Sequence, residues 1–248
     1  MPRTALTGAD GAIVATYLAG TREGVPLADD VQPAAGVAPE LVIAAALEWL
    51  GGHIVAGGTA LGEALVAAGA QPRRRARVMV RDLRADPLPH APAAPGITIE
   101  QATPGNTDAL LDAFVAAYPP GHPDHRAGGD RPSEREQLRS LMAGEVIGVL
   151  LDCSRLARER SGAAVGAALA FDHPGEPPLA GPWLGELFRH PAAPAGTGAA
   201  LLAASLAAAG AEGLRTMGLV VTDGNPALRV YLDAGFVVVR EEFAVWVP

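Results

Sequence analysis

The chain has 248 residues, 49% of them hydrophobic, and a formal net charge of −8. Its single cysteine, Cys153, excludes an internal disulfide framework and Cys-x-x-Cys metal spacing, which fits a reducing cytoplasm. The acidic balance speaks against a general nucleic-acid binder, which needs a basic surface to displace phosphate counterions, and slightly favours a cationic or neutral substrate.

No basic-then-apolar leader opens the sequence, and no apolar run reaches membrane-spanning length. The expectation is a soluble, cytoplasmic protein with no membrane or nucleic-acid partner. All 19 basic residues are arginine, which together with the Ala, Gly and Pro load reads as the codon bias of a GC-rich genome.

In the N-terminal segment, residues 1–85, helices are expected near Pro39–Leu50 and Ala60–Ala68. The end of this segment repeats the end of the chain. Setting Ala68-Gly69 over Ala234-Gly235 puts Val55 on Val221, Gly58 on Gly224 and Arg73–Arg81 on Val239–Val247. That pattern suggests a degenerate half-repeat, with chance similarity in an alanine-rich chain as the competing explanation. Arg73-Arg74-Arg75-Ala76-Arg77 reads as the solvated face of its closing strand.

Residues 86–96 are too rich in proline to sustain a helix or a central strand, and are read as a linker. From 97 to 248 strands and helices alternate. Ile97–Glu100 has strand alternation, and Asn106-Thr107-Asp108 caps a helix reaching about Tyr118. Ser133 and Glu136 have capping-box spacing for a second helix. Gly148–Cys153, Ala163–Phe171 and Trp183–Arg189 read as consecutive strands. A helix over Ala199–Glu212, apolar nearly all round, should be buried. Leu214–Thr222 is a strand, Pro226–Ala234 a helix, and Phe236–Val247 one or two closing strands. The fold class is α/β: a mixed, mostly antiparallel sheet flanked by helices, with a smaller N-terminal α/β segment.

The chemistry concentrates in two places. Trp183 to Arg189 runs through a Pro/Gly turn into Gly196-Thr197-Gly198, where a helix begins. Such a turn aims unpaired backbone N–H groups and the positive end of a helix dipole at one point, and its glycines admit a diphosphate closely. After one more strand comes Asp223-Gly224-Asn225-Pro226, then Tyr231 and Gly235-Phe236. Asn225 caps a short helix, and Gly235 supplies the positive φ that ends it.

In that order and spacing, Gly196-x-Gly198 with Asn225, Tyr231 and Gly235-Phe236 resembles the GNAT superfamily of acyl-CoA-dependent N-acetyltransferases, over about the last 150 residues. The N-terminal segment resembles the truncated second copy of some tandem members, without a Gly-x-Gly where the diphosphate turn would stand. The resemblance implies acetyl-CoA as acyl donor, a small-molecule primary amine as acceptor, and no metal.

Carried onto these residues, it implies that backbone N–H groups of Ala195, Gly196, Thr197, Gly198 and Ala199 hold the CoA pyrophosphate. Leu187, Phe188 and Arg189 would line the pantetheine arm, with a strand N–H polarising the acyl carbonyl. Asn225 would contact the pantetheine or order its turn, and Tyr231 would protonate the leaving thiolate. The family pattern has Arg or Gln where this chain has Ala193.

Glu186 is the best-placed carboxylate for a general base, against an ordinary role as a solvated strand residue. Tyr118, His122, Asp124 and His125 lie in the loop after the first helix of this domain and are candidates to shape the acceptor pocket. His122-Pro123-Asp124-His125 also looks like half a metal site, but the other ligands are missing. The alternative from another class is a GNAT-fold module that binds acyl-CoA without turnover, as a sensor or interaction domain. The oligomeric state is not legible, a homodimer being one option.

Overall fold

The computed structural model describes residues 2–22, 24–84, 90–125, 129–174 and 180–248. It divides into two compact units, Met1–Val78 with Arg240–Pro248, and Met79–Val239. This division differs from an N-terminal segment ending at 85 and a second domain over 97–248. The final residues belong to the first unit because they pair there, as the ladder below shows. Residues 86–89 of the expected linker lie outside the described residues.

The first unit contains strands β1 (Thr4–Thr7), β2 (Ile13–Arg22) and β3 (Val25–Pro33), helix α1 (Pro39–Trp49), strand β4 (Ile54–Gly58), helix α2 (Thr59–Ala67) and most of strand β5 (Gln71–Asp82). β1–β2 and β2–β3 are antiparallel, and β3–β4 is parallel. Glu242 to Trp246 run antiparallel to β4, from Glu242↔Gly58 to Trp246↔Ile54. Both N-terminal helices fall within a residue or two of the expected bounds, since each is an apolar-periodic run closed by Gly.

Val42, Ala46, Leu65, Phe243 and Val245 share this unit's core. A Cβ on Gly62 would lie 2.6 Å from the Phe243 ring, so α2 presses on the last strand only because residue 62 has no side chain. In β3, Asp30 takes a positive φ of 48°, inside a register shift between Ala28 and Val31. Its carboxylate accepts from Arg3 (2.8 Å), Gln32 (2.8 Å) and Arg240 (2.6 Å). Such a buried acid is tolerable only with partners of this kind.

The second unit adds β6 (Ile97–Gln101), α3 (Thr107–Ala117), α4 (Arg131–Met142), β7 (Val149–Leu150), β8 (Arg155–Glu159), β9 (Ala164–His173), β10 (Gly181–Arg189), α5 (Thr197–Ala211), β11 (Thr216–Thr222), α6 (Ala227–Asp233) and β12 (Val237–Trp246), which begins in this unit. Its strands lie in the order β11-β10-β9-β8-β6, with β7 beside β9. Among the pairings described within this unit β10–β11 is parallel and the others are antiparallel, so the mixed and mostly antiparallel α/β sheet is as expected.

Three local expectations are corrected. Gly148–Cys153 yields only the two-residue β7, and the main strand is Arg155–Glu159, whose Arg-Leu-Ala-Arg-Glu sequence carries no clear strand alternation. It is held by β6, with Arg158 on Glu100 at 2.7 Å. Helix α4 starts at Arg131, because Asp130 accepts the Ser133 N–H at 2.9 Å and caps it one turn ahead of the expected capping box. The Asn106 side chain makes no capping bond to α3; it closes the capping box of the 3-10 turn Pro104–Asn106, accepting the N–H of the cap residue Thr103 at 2.7 Å.

β9 is the centre of this unit. Ala164 to Phe171 are buried without a break, and alternate residues serve two different cores. Leu169 and Phe171 pack with Leu110 and Phe114 of α3 and with Leu138 of α4. Ala168 and Ala170 face the core that holds Leu201, Leu202 and Leu206 of α5. Small residues on that side let the nearly all-apolar α5 lie close to the sheet. Among the described residues no helix is long and apolar enough to cross a membrane.

Candidate active site

The site is organised by a parting of two strands. β10 and β11 pair at Trp183↔Gly218, the one ladder pair recorded between them among the described residues. A Cβ on Gly218 would lie 2.5 Å from the Trp183 ring, so the indole covers the strand exactly where the pairing stops being continued. Immediately after it β10 carries a bulge: its register on β9 steps from Leu184↔Ala170 to Glu186↔Leu169, leaving Gly185 over. Side chains would not fit there, since a Cβ would meet Ile147 and Phe171 at 2.5 and 2.8 Å. A bulge bends and twists its strand. From Glu186 to Arg189, β10 stays paired with β9, while its other edge forms no described ladder pair with β11.

The turn after β10 is braced from within. The Arg189 guanidinium donates to the carbonyls of His190 (3.3 Å), Pro191 (3.2 Å) and Ala193 (3.2 Å). Ala193 is 6% exposed and packs in the core with Leu201 and Leu202. The position at which the family pattern has Arg or Gln is thus an interior position here. The hydroxyl of the fully buried Thr197 donates to the Pro194 carbonyl at 2.7 Å.

Gly196, the residue before α5, sits at φ +87°. A side chain would be strained at that angle. Gly198 is different, for it lies in the first turn of α5 with open space within 4 Å of where a Cβ would stand. Nothing inside the protein accounts for its lack of a side chain, and glycine in a helix costs about 0.5–1 kcal/mol relative to alanine. A ligand brought close over the helix terminus does account for it. The Thr197 N–H already donates to the Pro194 carbonyl at 3.2 Å, whereas the N–H groups of Gly198 and Ala199 have no acceptor within the helix, and no acidic residue stands in this first turn. The segment 195–199 therefore fits a diphosphate.

At the other end of the gap, Asn225 accepts the Ala227 N–H at 2.8 Å and so caps α6 as expected. Its amide nitrogen donates to Asp124 at 2.7 Å, and the Thr222 hydroxyl, at the end of β11, donates to the same carboxylate. Tyr231 is 7% exposed and meets Phe236 edge-on, with ring centroids 5.9 Å apart. Burial, and after it the Glu186 and Asp124 charges, push its hydroxyl well above the ordinary tyrosine range. Tyr231 is consequently protonated across the neutral range and can donate a hydrogen bond. Glu186 accepts the Tyr118 hydroxyl.

Tyr118, Asp124, Glu186, Asn225 and Tyr231 are thus brought near one another, although they span residues 118 to 231. Two of the expected residues are turned into their own loop. His125 Nδ1 is 2.7 Å from the Tyr118 carbonyl, and His122 packs edge-on against Tyr118 while its Nδ1 accepts the Asp124 N–H at 3.1 Å. Thr222 was missed, and no local signal in the sequence marks it. Cys153 is fully buried, and burial is the main cause of a thiol pushed up to about 11. Among the described residues no group of three or more His, Cys, Asp or Glu is arranged to hold a metal ion.

No protein-family model matches the chain. A mycothiol acetyltransferase of Sanguibacter keddieii is 31% identical over 155 residues, which covers 60% of this chain and 46% of that protein. The chain therefore matches less than half the length of this relative. Among solved structures, a GCN5-related N-acetyltransferase from Sphaerobacter thermophilus aligns with a TM-score of 0.64 at 21% identity, over 96% of this chain and 78% of that one. A tandem GNAT protein from the clavulanic acid biosynthesis pathway aligns with a TM-score of 0.56 at 17% identity, over 96% and 79%. These two likenesses show the fold.

Proposed function

We propose that this chain is a GCN5-related N-acetyltransferase that transfers an acetyl group from acetyl-CoA to a primary amine of a small molecule, a reading supported by its likeness to a mycothiol acetyltransferase and by its fold. The observation that carries the reading is the parted β10–β11 pair, with the glycine-opened terminus of α5 at one end and the buried Tyr231 hydroxyl at the other. In this reading the first-turn N–H groups of α5 hold the diphosphate. The open edge of β10 at Leu187 and Phe188 takes the pantetheine arm as an added strand would. A β10 N–H beside the acyl carbonyl stabilises the charge that develops on its oxygen.

The acceptor must reach the thioester as a free amine, whereas an alkylamine of pKa about 10.4 is almost wholly protonated at neutral pH. Glu186 takes that proton, directly or through water. The amine nitrogen then bonds to the acyl carbon, the carbon–sulfur bond breaks with its electron pair on sulfur, Tyr231 gives its hydroxyl proton to the leaving thiolate, and the proton that the nitrogen sheds on becoming an amide returns to the Tyr231 oxygen through water. The products are the N-acetylated acceptor and CoA. The N-terminal unit is read as a degenerate half-GNAT repeat that binds no cofactor.

The test is an amine panel with acetyl-CoA, following released CoA with a thiol reagent. Because Cys153 is buried, the protein contributes little background. Mycothiol-related amines belong in the panel, given the name of the relative. Amine-dependent CoA release that is lost in Tyr231→Phe supports the enzyme. Tight acetyl-CoA binding with no transfer to any amine would instead support a non-catalytic acyl-CoA sensor or interaction module.

A further inference from the structure

The loop from Tyr118 to His125 is fastened to both walls of the cleft. At its start the Tyr118 hydroxyl donates to Glu186 on β10. At its end Asp124 receives the Thr222 hydroxyl on Oδ1 and the Asn225 amide on Oδ2. Between these points the loop closes on itself, with the His122 N–H on the Pro119 carbonyl and the His125 N–H on the His122 carbonyl, both at 2.9 Å. Pro123 covers Gly224, where a Cβ would stand 3.6 Å from the proline ring.

The chemistry of position 124 is specific. An ionised carboxylate only accepts, and its two oxygens serve two donors at once. Asparagine would offer one acceptor and turn an NH2 toward a second donor. Alanine would leave the hydroxyl of Thr222, itself 7% exposed, and the Asn225 amide to find other partners. The Asn225 side chain has no freedom to spare, since its oxygen already caps Ala227.

We propose that Asp124 is a positioning residue that clips the acceptor-side loop to the Thr222–Asn225 turn, so that the place of that loop is set by one carboxylate. The role rests on the acetyl-transfer reading above. Asp124 acts through the loop and does not touch the reacting atoms, and Asn225 keeps its own bond to the Ala227 N–H without it. Specificity for the acceptor then depends on a residue that sets the place of Tyr118 relative to Glu186.

The experiment compares wild type, Asp124→Ala and Asp124→Asn in the full chain, in two measurements. Hydrogen exchange needs no turnover. In Asp124→Ala, exchange should quicken both in the loop at 118–125 and in the turn at 222–227, and an unchanged turn overturns the clip. Steady-state kinetics should show acceptor KM raised about tenfold or more, acetyl-CoA KM within about threefold, and Asp124→Asn in between. Equal losses toward both substrates, or none, overturn the positioning role. Should Asp124→Ala fail to fold, Thr222→Val removes one of the two bonds and must show the same KM split in smaller measure. A wild type that quickens nothing on any amine overturns the acetyl-transfer reading, and the positioning role with it, while the exchange result still decides whether the clip exists.

Discussion

The two units carry the same run of elements. β2-β3-α1-β4-α2-β5 in the first answers β9-β10-α5-β11-α6-β12 in the second, with antiparallel, then parallel pairing at matching places. Even the left-handed glycines that close α2 and α6 correspond, Gly69 at φ +106° and Gly235 at φ +83°. The differences fall where a cofactor would bind. In the first unit the parallel ladder runs on past its irregularity to Val31↔Gly57, so β3 and β4 stay together, whereas β10 and β11 part after Trp183↔Gly218. The helix after β3 opens with Pro39, which has no N–H, and Glu40, which puts a carboxylate where a diphosphate would lie. The helix after β10 opens with Thr197-Gly198 and no acid. Where the second unit has Tyr231, the repeat alignment gives Leu65, fully buried in the core. One run of elements thus appears in two forms, with a longer parallel ladder and a helix opening on Pro39 and Glu40 in the first unit, and a single ladder pair and a helix opening on Thr197-Gly198 in the second.

Exchanging these features between the units should break that contrast, most severely at the helix termini. Gly198→Glu imports the charge of Glu40. Acetyl-CoA affinity should fall about a hundredfold, or roughly 3 kcal/mol, while thermal stability holds or rises because an acid suits a helix N-terminus. Glu40→Gln should leave affinity unchanged, and calorimetry reads both. The next effect concerns support. Asp30→Ala removes the carboxylate shared by Arg3, Gln32 and Arg240. It should lower unfolding free energy by about 2–4 kcal/mol in denaturant titration, with acetyl-CoA affinity within about twofold of wild type.

Tyr231→Phe should lower kcat about thirtyfold or more with little change in acetyl-CoA binding, because it removes a donor but keeps the packing on Phe236. The smallest effect is alkaline. Cys153, from 9.0 unfolded to about 11 folded, binds its proton more tightly in the native state. Its contribution is whole below about pH 9 and is lost as pH rises toward about 11. The urea midpoint should therefore fall over that window, and fall less in Cys153→Ala.

What could be read beforehand was what short stretches of chain determine. Gly196 and Gly235 announce positive φ, Asn225 announces a helix start, and the spacing between them carries the family resemblance. Long-range pairing was not legible. The Asp124–Asn225 bond joins residues 101 apart, and neither residue alone predicts it. β8 was missed because its strand character comes from its neighbours β6 and β9 rather than from alternation of its own. The assignment of Arg240–Pro248 to the first unit escaped for the same reason: β4 decides it, through a ladder that leaves no trace in local composition. Asp130 displaced Ser133 as the cap of α4 because two capping residues stood three apart, and only the closed turn chooses between them.

The central claim is that the second unit alone holds a cofactor site. It is met most directly by calorimetric titration of acetyl-CoA into the full chain, beside the Gly198→Glu variant. The account predicts one acetyl-CoA per chain, with binding lost in the variant. Two acetyl-CoA per chain, binding that survives the variant, or no binding to the wild type would contradict it.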